Sequence, residues 1–312
     1  AYVYEGGVAV VSSQNQAALC ELLDADHDDP SYANGAHLGS RRVQSIGGGN
    51  DSAKHPPHYA LVTPLPTQSY ARENGISFVT VAVLPRFHTT SRHPEVFLST
   101  TDNSVIICNS ASTEMTDVNC RNRITSPICQ MSFAPNGRFL ACFTQQSILT
   151  VISTSFETKV LDFDTSEGSK APPQDMQWCG EDSVVLQWKQ LGVLMVGPYG
   201  DWLRFPFEQT QQLCLVPELD ACRVVTDHAV EVLQRVPPET AALLRIGSIE
   251  PSAMLLDASD EFYDGASPSS DEAARAIDKT GMLKEAIETC IEAALKEWDV
   301  AMQKRLLRAA VV

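Results

Sequence analysis

The chain has 312 residues and a formal net charge of −16, because 39 Asp and Glu residues outnumber 23 Lys and Arg residues. Nucleic acid and anionic lipid surfaces repel such a charge, so neither is an expected partner. The sequence lacks the apolar run of about eighteen residues that a membrane-spanning helix needs, and it opens without a signal peptide, so secretion is not predicted.

The nine cysteines also restrict the class of protein. Their number is odd, no CxxC motif occurs, and several, such as Cys108 and Cys142, lie inside apolar strand patterns. This usage is typical of small buried side chains in a reducing compartment, and it does not favour a disulfide scaffold.

One strand–turn–strand template occurs three times, beginning at Met131, Met176 and Val216. A period near 40 residues built from short strands is the pattern of β-propeller blades. A propeller is more often a protein-binding surface than an enzyme, so the repeat favours a binding function.

Ahead of the repeats, strands are predicted at Val8–Ser12 and Ala17–Leu23. Residues 24–58 lose this periodicity and are rich in His, Asp, Gly, Ser and Pro, so they predict a long surface loop. Strands are then predicted again at 59–62, 76–84, 96–99 and 104–108.

The three repeats extend into full blades. After Met131, the turn Pro135-Asn136-Gly137 predicts a hairpin with positive φ at Asn136 and Gly137, and strands follow at 138–143, 147–152 and 159–163. The next unit runs from Asp175 to Phe207, and the third closes at 229–236. Residues 1–236 hold about five blades, whereas a ring of seven would need more chain, so we expect further blades before Ala1.

Helical patterns replace strands from residue 237. Pro238 and Pro251 are typical first-turn residues, Ser269–Glu272 resembles a capping box, and an apolar stripe runs from Leu283 to Trp298 and on to a basic end at 304–308. Helix pairs with one apolar side stack on further pairs. Residues 237–312 therefore predict the start of an α-solenoid that continues beyond Val312.

Several groups of residues could in principle form reactive sites. A metal site could use His55, His58, His88 and His93, but their spacing is not helical and no Cys or carboxylate completes the set. The loop Gly47–Asn50 lacks the Lys-Ser/Thr of a phosphate cradle. Asp220, His228 and a serine could form a triad, but no pattern brings them together.

Two further groups have simpler interpretations. Asp257, Asp260, Glu261 and Asp264 lack the alternation and central Gly of a calcium loop, and a solvated helix face explains them better. The four tryptophans could form a ligand box, but packing between blades is the better explanation; they are Trp178, Trp188, Trp202 and Trp298. The sequence therefore predicts no catalytic, cofactor-binding or metal-binding residue, and no cofactor.

Six segments of the sequence together give a specific resemblance to one protein family. The segments that carry it are Asp175–Leu186, Leu194–Gly200, Val230–Pro237, Ile246–Asp257, Ala286–Ala294 and Gln303–Ala310. In order and content they resemble the vacuolar protein sorting-associated protein 16 family. The resemblance covers residues 127–312 well, whereas 1–126 fit only in layout.

The resemblance implies a non-catalytic scaffold subunit shared by the HOPS and CORVET tethering complexes, which support vesicle docking, SNARE assembly and fusion. It also implies an N-terminal propeller over 1–236, an α-solenoid from 237, and other HOPS and CORVET subunits as partners. A Sec1/Munc18-like partner is expected only through solenoid beyond Val312. The implied location is cytoplasmic and peripheral on late endosome and vacuole or lysosome membranes.

Two other classes remain open. A propeller enzyme or small-molecule binder would place acidic or His residues on the central channel from several blades, whereas the repeats here suggest Ser, Ala and Cys near strand starts. A vesicle-coat or sorting adaptor of the propeller-plus-solenoid type differs from a tether in its partners, which the sequence does not distinguish.

Overall fold

The computed structural model describes residues 1–4, 6–23, 42–46, 58–109, 114–207, 212–265 and 268–311. The chain forms two compact units, residues 1–234 and 235–312. The described part of the first unit contains twenty strands and one short α-helix, and that of the second contains five helices.

The strands form five antiparallel sheets, here called blades 1 to 5. Blade 1 has the order β1-β2-β3-β5-β4, from β1 (Tyr2–Tyr4), β2 (Gly7–Val11), β3 (Ala17–Leu23), β4 (Arg42–Ile46) and β5 (His58–Leu65). Blade 2 contains β6 (Phe78–Leu84), β7 (Glu95–Thr100), β8 (Val105–Asn109) and β9 (Met115–Val118). Blade 3 contains β10 (Ile128–Phe133), β11 (Phe139–Thr144), β12 (Ile148–Ser153) and β13 (Lys159–Asp164).

Blade 4 contains β14 (Asp175–Cys179), β15 (Ser183–Trp188), β16 (Gly192–Val196) and β17 (Trp202–Phe205). Blade 5 contains β18 (Cys214–Pro217), β19 (Cys222–Val225) and β20 (Val230–Leu233). The first strands of consecutive blades pack side by side, and within the described ranges blade 5 makes no substantial contact with blade 1. The fold is therefore a partial β-propeller followed by helices, which confirms the predicted fold class.

The three predicted repeats are the first two strands of blades 3, 4 and 5. In blade 3, Phe133 pairs with Leu140; in blade 4, Cys179 pairs with Ser183. Inner strands of these blades carry apolar residues at successive as well as alternate positions, because the neighbouring blades cover both faces of each inner strand. All six residues of β15 are buried, as expected for a strand between two neighbouring sheets.

A separate apolar core lies between each pair of consecutive blades. Between blades 2 and 3, the rings of Phe97 and Phe133 meet edge to face with centroids 4.8 Å apart. Between blades 3 and 4, Trp178 is 2% exposed and its indole N–H donates to the Ser132 carbonyl at 2.9 Å. The indole therefore combines a large buried area with a directional bond across the joint.

The turn of blade 3 differs from its prediction. Gly137 has φ of +66°, but Asn136 is not among the residues with positive φ. The Gly137 N–H donates to the Ala134 carbonyl at 2.8 Å, and the Ala134 N–H donates to the Phe139 carbonyl at 2.9 Å. This is the longer hairpin loop in which one left-handed residue follows a right-handed turn, so only the glycine needs its conformational freedom.

Three elements in blade 1 and directly after it were not predicted, namely β1, β4 and a helix. Strand β4 lies inside the stretch 24–58, so the prediction of one uninterrupted loop is wrong there, while 24–41 and 47–57 lie outside the described residues. Helix α1 (Thr67–Asn74) follows β5 and ends at Gly75 with φ of +67°. Its sequence has no apolar stripe; the buried Thr67 hydroxyl fixes its start by accepting from the Ala17 N–H at 2.9 Å and donating to the Asn15 carbonyl at 2.8 Å.

The second unit consists of α2 (Pro238–Leu244), α3 (Pro251–Gly265), α4 (Pro268–Lys279), α5 (Leu283–Lys296) and α6 (Val300–Ala309). The proline starts of α2 and α3 are as predicted. The predicted capping box is wrong, because α4 begins at Pro268 and the Ser269 hydroxyl instead donates to Glu261 at 2.8 Å. No described helix has the length and apolar content needed to cross a bilayer.

The predicted continuous helix from 282 onwards is interrupted at residues 297–299. The Asp299 carboxylate accepts from the N–H groups of Ala301 and Met302, both at 3.2 Å, and so caps a new helix, α6. Trp298 lies between the helices and is 66% exposed, outside the apolar stripe to which the sequence assigned it. Helix α5 packs through small residues instead, including Ala286, Cys290 and Ala294.

Replacing Trp178 tests the joint between blades 3 and 4. Trp178→Phe should lower the stability of the first unit by about 1–3 kcal/mol, because it removes the hydrogen bond from the indole N–H to the Ser132 carbonyl and leaves a void. Urea denaturation followed by circular dichroism measures the change. The matched control is Trp202→Phe, since Trp202 is 57% exposed and should change stability by less than about 0.5 kcal/mol; equal losses would contradict this account.

Candidate functional site

A polar cavity of about 390 Å³ lies where the first strands of blades 1 to 4 approach one another. Thr80, Gln130, Asp175 and Gln177 contribute its polar groups, and Tyr2 closes one side. A second cavity of about 480 Å³ lies between blades 4 and 5, and Asp175 and Gln174 line both. Asp175 is therefore the charged residue that these two cavities share.

The Asp175 carboxylate is already engaged by the propeller. It accepts from the Met176 N–H at 2.8 Å and from the Gln177 amide at 3.0 Å, and the Leu215 N–H of blade 5 also donates to it. Burial raises the pKa of this carboxyl above its usual value, and the three hydrogen bonds oppose the rise. The carboxylate joins blade 4 to blade 5 as well as facing the cavity.

Tyr2 and Gln130 complete the polar centre. The Tyr2 hydroxyl accepts from the Phe133 N–H at 3.3 Å, and burial raises the pKa of the phenol. The Gln130 amide donates to the Pro173 carbonyl at 2.7 Å, while its buried side-chain oxygen has no partner among the described residues. Hydrogen bonds at this centre thus run mainly between blades.

The helical unit has its own groove of about 460 Å³ between α3, α4 and α6. Leu255, Phe262 and Val311 give it an apolar lining. The Arg308 guanidinium lies 5.4 Å from the centroid of the Tyr263 ring, a cation–π arrangement at its edge. This groove is more apolar than either propeller cavity, as expected of a packing surface.

Comparison with known protein families identifies the family of this chain. The family model described as "Vps16, N-terminal region" matches residues 71–312. The chain belongs to the Vps16 family.

Three relatives show how widely this family is distributed. Protein VACUOLELESS1 of Arabidopsis thaliana is 43% identical over 58% of this chain and 20% of its own length. The vacuolar protein sorting-associated protein 16 homolog of Dictyostelium discoideum is 29% identical over 86% of this chain and 30% of its own. The vacuolar protein sorting-associated protein 16 of Saccharomyces cerevisiae is 37% identical over 44% and 16%. The chain thus spans less than a third of the length of these relatives.

Among solved structures, the Cps50 (Swd1) β-propeller domain of Myceliophteria thermophila is similar, with a TM-score of 0.46 and 10% identity, covering 74% of this chain and 67% of that one.

Of the histidines considered as metal ligands, His88 has a structural position in this Vps16-family propeller. Its Nε2 lies 2.8 Å from the Pro135 carbonyl, and a Cβ on Gly137 would lie 2.4 Å from its ring. His88 therefore packs directly onto the turn of blade 3. His93 is exposed, only the backbone of His58 is described, and His55 lies outside the described residues. The described part contains no group of three or more possible metal ligands.

The other sequence candidates are likewise dispersed. Gly47–Asn50 lies outside the described residues. The Asp220 carboxylate accepts from the Gln234 side-chain amide at 3.4 Å. His228 lies in the β19–β20 turn, where its backbone N–H donates to the Thr226 hydroxyl at 3.3 Å. No hydrogen bond within the described ranges joins Asp220 to His228.

The acidic stretch of α3 is only partly a solvated face. Asp257 and Asp264 are exposed as predicted. Asp260 is not free, because the Arg305 guanidinium of α6 binds it through Nε at 2.8 Å and through a second, shorter contact. This carboxylate raises the pKa of Arg305, so the pair ties α3 to α6.

The tryptophans divide into two groups. Trp178 and Trp188 are buried in the core between blades 3 and 4, which confirms the packing interpretation, and the Trp188 N–H donates to the Ala171 carbonyl at 2.9 Å. Trp202 and Trp298 are exposed, so that interpretation is wrong for them. Trp202 lies on β17, the outermost strand of blade 4, and Trp298 lies in the segment between α5 and α6.

The polar centre does not follow from the sequence patterns. Ser, Ala and Cys were expected near strand starts, yet Asp175 opens β14 and faces the cavity. The available signal was a lone carboxylate at the start of an otherwise apolar repeat. The expectation for cysteines is confirmed for Cys108, Cys142 and Cys222, which are free and buried, and burial raises the pKa of Cys108 to about 11 and that of Cys222 to about 12.

Replacing Gly137 tests the contact with His88. Gly137→Ala should cost more than Gly75→Ala, because both glycines have φ near +67° but nothing lies within 4 Å of a Cβ at Gly75. The left-handed backbone costs about 1–2 kcal/mol in both, and the clash with His88 should add about 1–3 kcal/mol. Urea denaturation measures both. Adding His88→Gly, which removes both the ring and the Cβ that would lie 2.7 Å from the added Cβ, should remove most of the excess; an unchanged excess would contradict the contact.

Titration tests the burial of Asp175. Its folded pKa lies above the reference value of 3.8, so protonation favours the folded state, and this stabilisation is lost as the pH rises through the folded pKa. The stability of the natural chain relative to Asp175→Asn should therefore increase as the pH falls from about 7 to about 4. Asp164→Asn is the control of opposite sign, because hydrogen bonds from Ser166 lower the pKa of exposed Asp164. Equal slopes would refute the assignment.

Proposed function

We propose that this chain is part of a non-catalytic scaffold subunit of an endosomal and vacuolar membrane-tethering complex of the HOPS and CORVET type. The match of the Vps16 family model to residues 71–312 carries this proposal. It is supported by the relatives, several of which are named for vacuolar protein sorting. In this role the protein supports vesicle docking, SNARE assembly and fusion by holding other subunits.

We propose residues 1–236 as the propeller domain and residues 237–312 as the start of an α-solenoid. The division into compact units after Gln234 supports this boundary. So do the last strand, which ends at Leu233, and the first helix, which begins at Pro238. A propeller followed in the chain by a helical array suits a scaffold because both present long surfaces to proteins.

A non-catalytic role is supported by the structural hydrogen bonds and packing contacts of the buried polar groups. Asp175 receives hydrogen bonds from two blades. The indole N–H of Trp178 donates to a carbonyl of blade 3, and that of Trp188 donates to the Ala171 carbonyl in the connection between β13 and β14. His88 is held between Pro135 and Gly137. Groups with such fixed structural partners are poorly suited to exchanging protons with a substrate.

In this proposal the protein is cytoplasmic and reaches late endosome and vacuole or lysosome membranes as a peripheral component, through its complex. The partners are other HOPS and CORVET subunits. Neither nucleic acid nor direct insertion into lipid has a role, in keeping with the net charge of −16.

Affinity purification of the full-length natural protein tests this function. Tethering subunits should co-purify at near-equal amounts by quantitative mass spectrometry, and an alkaline wash should release the protein from sedimented vacuolar membranes. The tag expressed alone is the control. Recovery of vesicle-coat components without tethering subunits would replace the proposal with the coat or sorting-adaptor alternative.

A further inference from the structure

One part of this acidic chain is locally basic. Residues 85–94 join β6 to β7 in blade 2, and they contain two Arg, two His and no Asp or Glu. A further arginine, Arg138, ends the β10–β11 turn of blade 3. We call the exposed residues of this region the basic surface; they are Arg86, Phe87, Arg92, His93 and Arg138.

The two parts of the basic surface are joined by packing. The Nε2 of His88 lies 2.8 Å from the Pro135 carbonyl, and its ring lies against Gly137. The Thr154 hydroxyl of the β12–β13 turn donates to the Gly137 carbonyl at 2.7 Å. The surface therefore extends without a break from blade 2 to blade 3, and blades 1 and 4 flank these two blades in the described array.

The loop of blade 2 has a fixed shape. The Thr89 hydroxyl lies 3.1 Å from the Arg86 carbonyl and 2.9 Å from the His93 carbonyl. The Arg92 N–H donates to the Thr89 carbonyl at 3.4 Å, and Arg92 has φ of +59°, which is uncommon for a residue with a side chain. These contacts hold the charges in position before a partner arrives, which reduces the entropy lost on binding.

The arginines of the basic surface lack partners. Arg86, Arg92 and Arg138 make no ion pair and no side-chain hydrogen bond with the part of the chain that the structure describes. Other propeller arginines are bound, to carboxylates or to carbonyls; they are Arg121, Arg123, Arg204 and Arg223. Unpaired guanidinium groups leave their donors available to an incoming carboxylate.

Nearby carboxylates reduce this positive charge without binding it. Glu95 is partly exposed and accepts from the Ser91 hydroxyl at 3.5 Å, and Glu157 is exposed in the β12–β13 turn. On the side of blade 1, burial raises the pKa of Tyr4, Glu21 raises it further, and Arg86 lowers it. Glu21 thus partly offsets Arg86, and Arg92 and Arg138 are the main cations of the surface.

The equivalent turns of the next two blades have the opposite charge. The β14–β15 turn of blade 4 exposes Glu181 and Asp182, and the β18–β19 turn of blade 5 exposes Asp220. An acidic partner is therefore attracted to blades 2 and 3 and repelled from blades 4 and 5, which fixes where on this end of the propeller it binds.

We propose that the basic surface binds an acidic segment of a partner protein, with carboxylates at Arg92 and Arg138 and an apolar side chain against Phe87. Arginine and carboxylate form strong paired hydrogen bonds, and Phe87, which is 57% exposed, supplies the apolar contact. Arginine and aromatic residues are both enriched in protein interfaces. This inference rests on the proposed scaffold function and names the chemistry of one partner.

A short segment fits this surface better than an anionic membrane does. A membrane faces the whole end of the propeller and meets the acidic turns of blades 4 and 5 as well, in a chain with net charge −16. A segment of a few residues interacts mainly with charges within one Debye length, about 8–10 Å. The local arginines therefore determine its binding.

The test uses the full-length natural protein and the fluorescein-labelled peptide Asp-Glu-Asp-Leu-Phe-Asp-Glu-Asp. Fluorescence anisotropy should show saturable binding that weakens as salt is added. The double variant Arg92→Glu with Arg138→Glu should bind at least about tenfold more weakly. Phe87→Ala should bind at least about threefold more weakly.

A matched double variant separates local charge from total charge. Lys170→Glu with Lys189→Glu changes the net charge equally, at exposed positions. Lys170 follows β13 and Lys189 follows β15, so both lie at the opposite end of the strands from the β10–β11 turn. This variant should change peptide binding less than about threefold.

Three measurements do not depend on the folding of any variant. A peptide with Asn and Gln in place of Asp and Glu should not bind, because it lacks the carboxylates. Hydrogen exchange with the acidic peptide should show new protection in residues 86–93 and 136–138. Vesicles of phosphatidylcholine and phosphatidylserine in equal parts should not displace the peptide.

Equal weakening in the two double variants would reduce the effect to total charge and overturn the proposal. So would the absence of saturable binding, unchanged binding of Phe87→Ala, binding of the uncharged peptide, protection elsewhere in the chain, or displacement by the vesicles, which would indicate a lipid surface instead. None of these results would alter the set of subunits that co-purifies with the natural full-length protein, so a failure here is distinct from a failure of the scaffold function.

Discussion

The inner strands of the propeller sheets are covered on both faces, and this is the constraint on which the rest of the structure depends. A strand such as β15, with every residue buried, cannot be stable in a sheet that has water on one side. Each blade therefore needs a neighbour, and the cores lie between blades rather than within them. Stability is shared between nearest neighbours, as in other repeat architectures.

Polar side chains reinforce these joints where they are buried. The Trp178 indole bonds to Ser132 across the joint of blades 3 and 4, and the Cys179 thiol lies 3.1 Å from the Leu233 carbonyl across the joint of blades 4 and 5. Asp175 performs the same task at the propeller centre. These buried polar residues thus act as connectors between blades.

The sequence was sufficient to predict blades 3 to 5 because each repeats a strand, turn and strand at nearly constant spacing. It could not predict β4 or α1, because neither has a hydrophobic period; the helix depends on Thr67, whose partners lie about fifty residues away in the chain. The break between α5 and α6 was missed because Trp298 continues the apolar stripe, while the Asp299 cap acts only through local backbone geometry. The polar centre is assembled from four blades, so no single segment could reveal it.

The bond from the Phe133 N–H to the Tyr2 hydroxyl has a kinetic consequence, because it joins residues 131 positions apart. Neighbouring strands of blades 2 to 5 are joined instead by turns or short connections, which close rapidly and at small entropic expense. The hairpins can therefore form before the tyrosine finds its place. We therefore expect β1 to dock on blade 3 late on the folding pathway, when its site between the blades already exists.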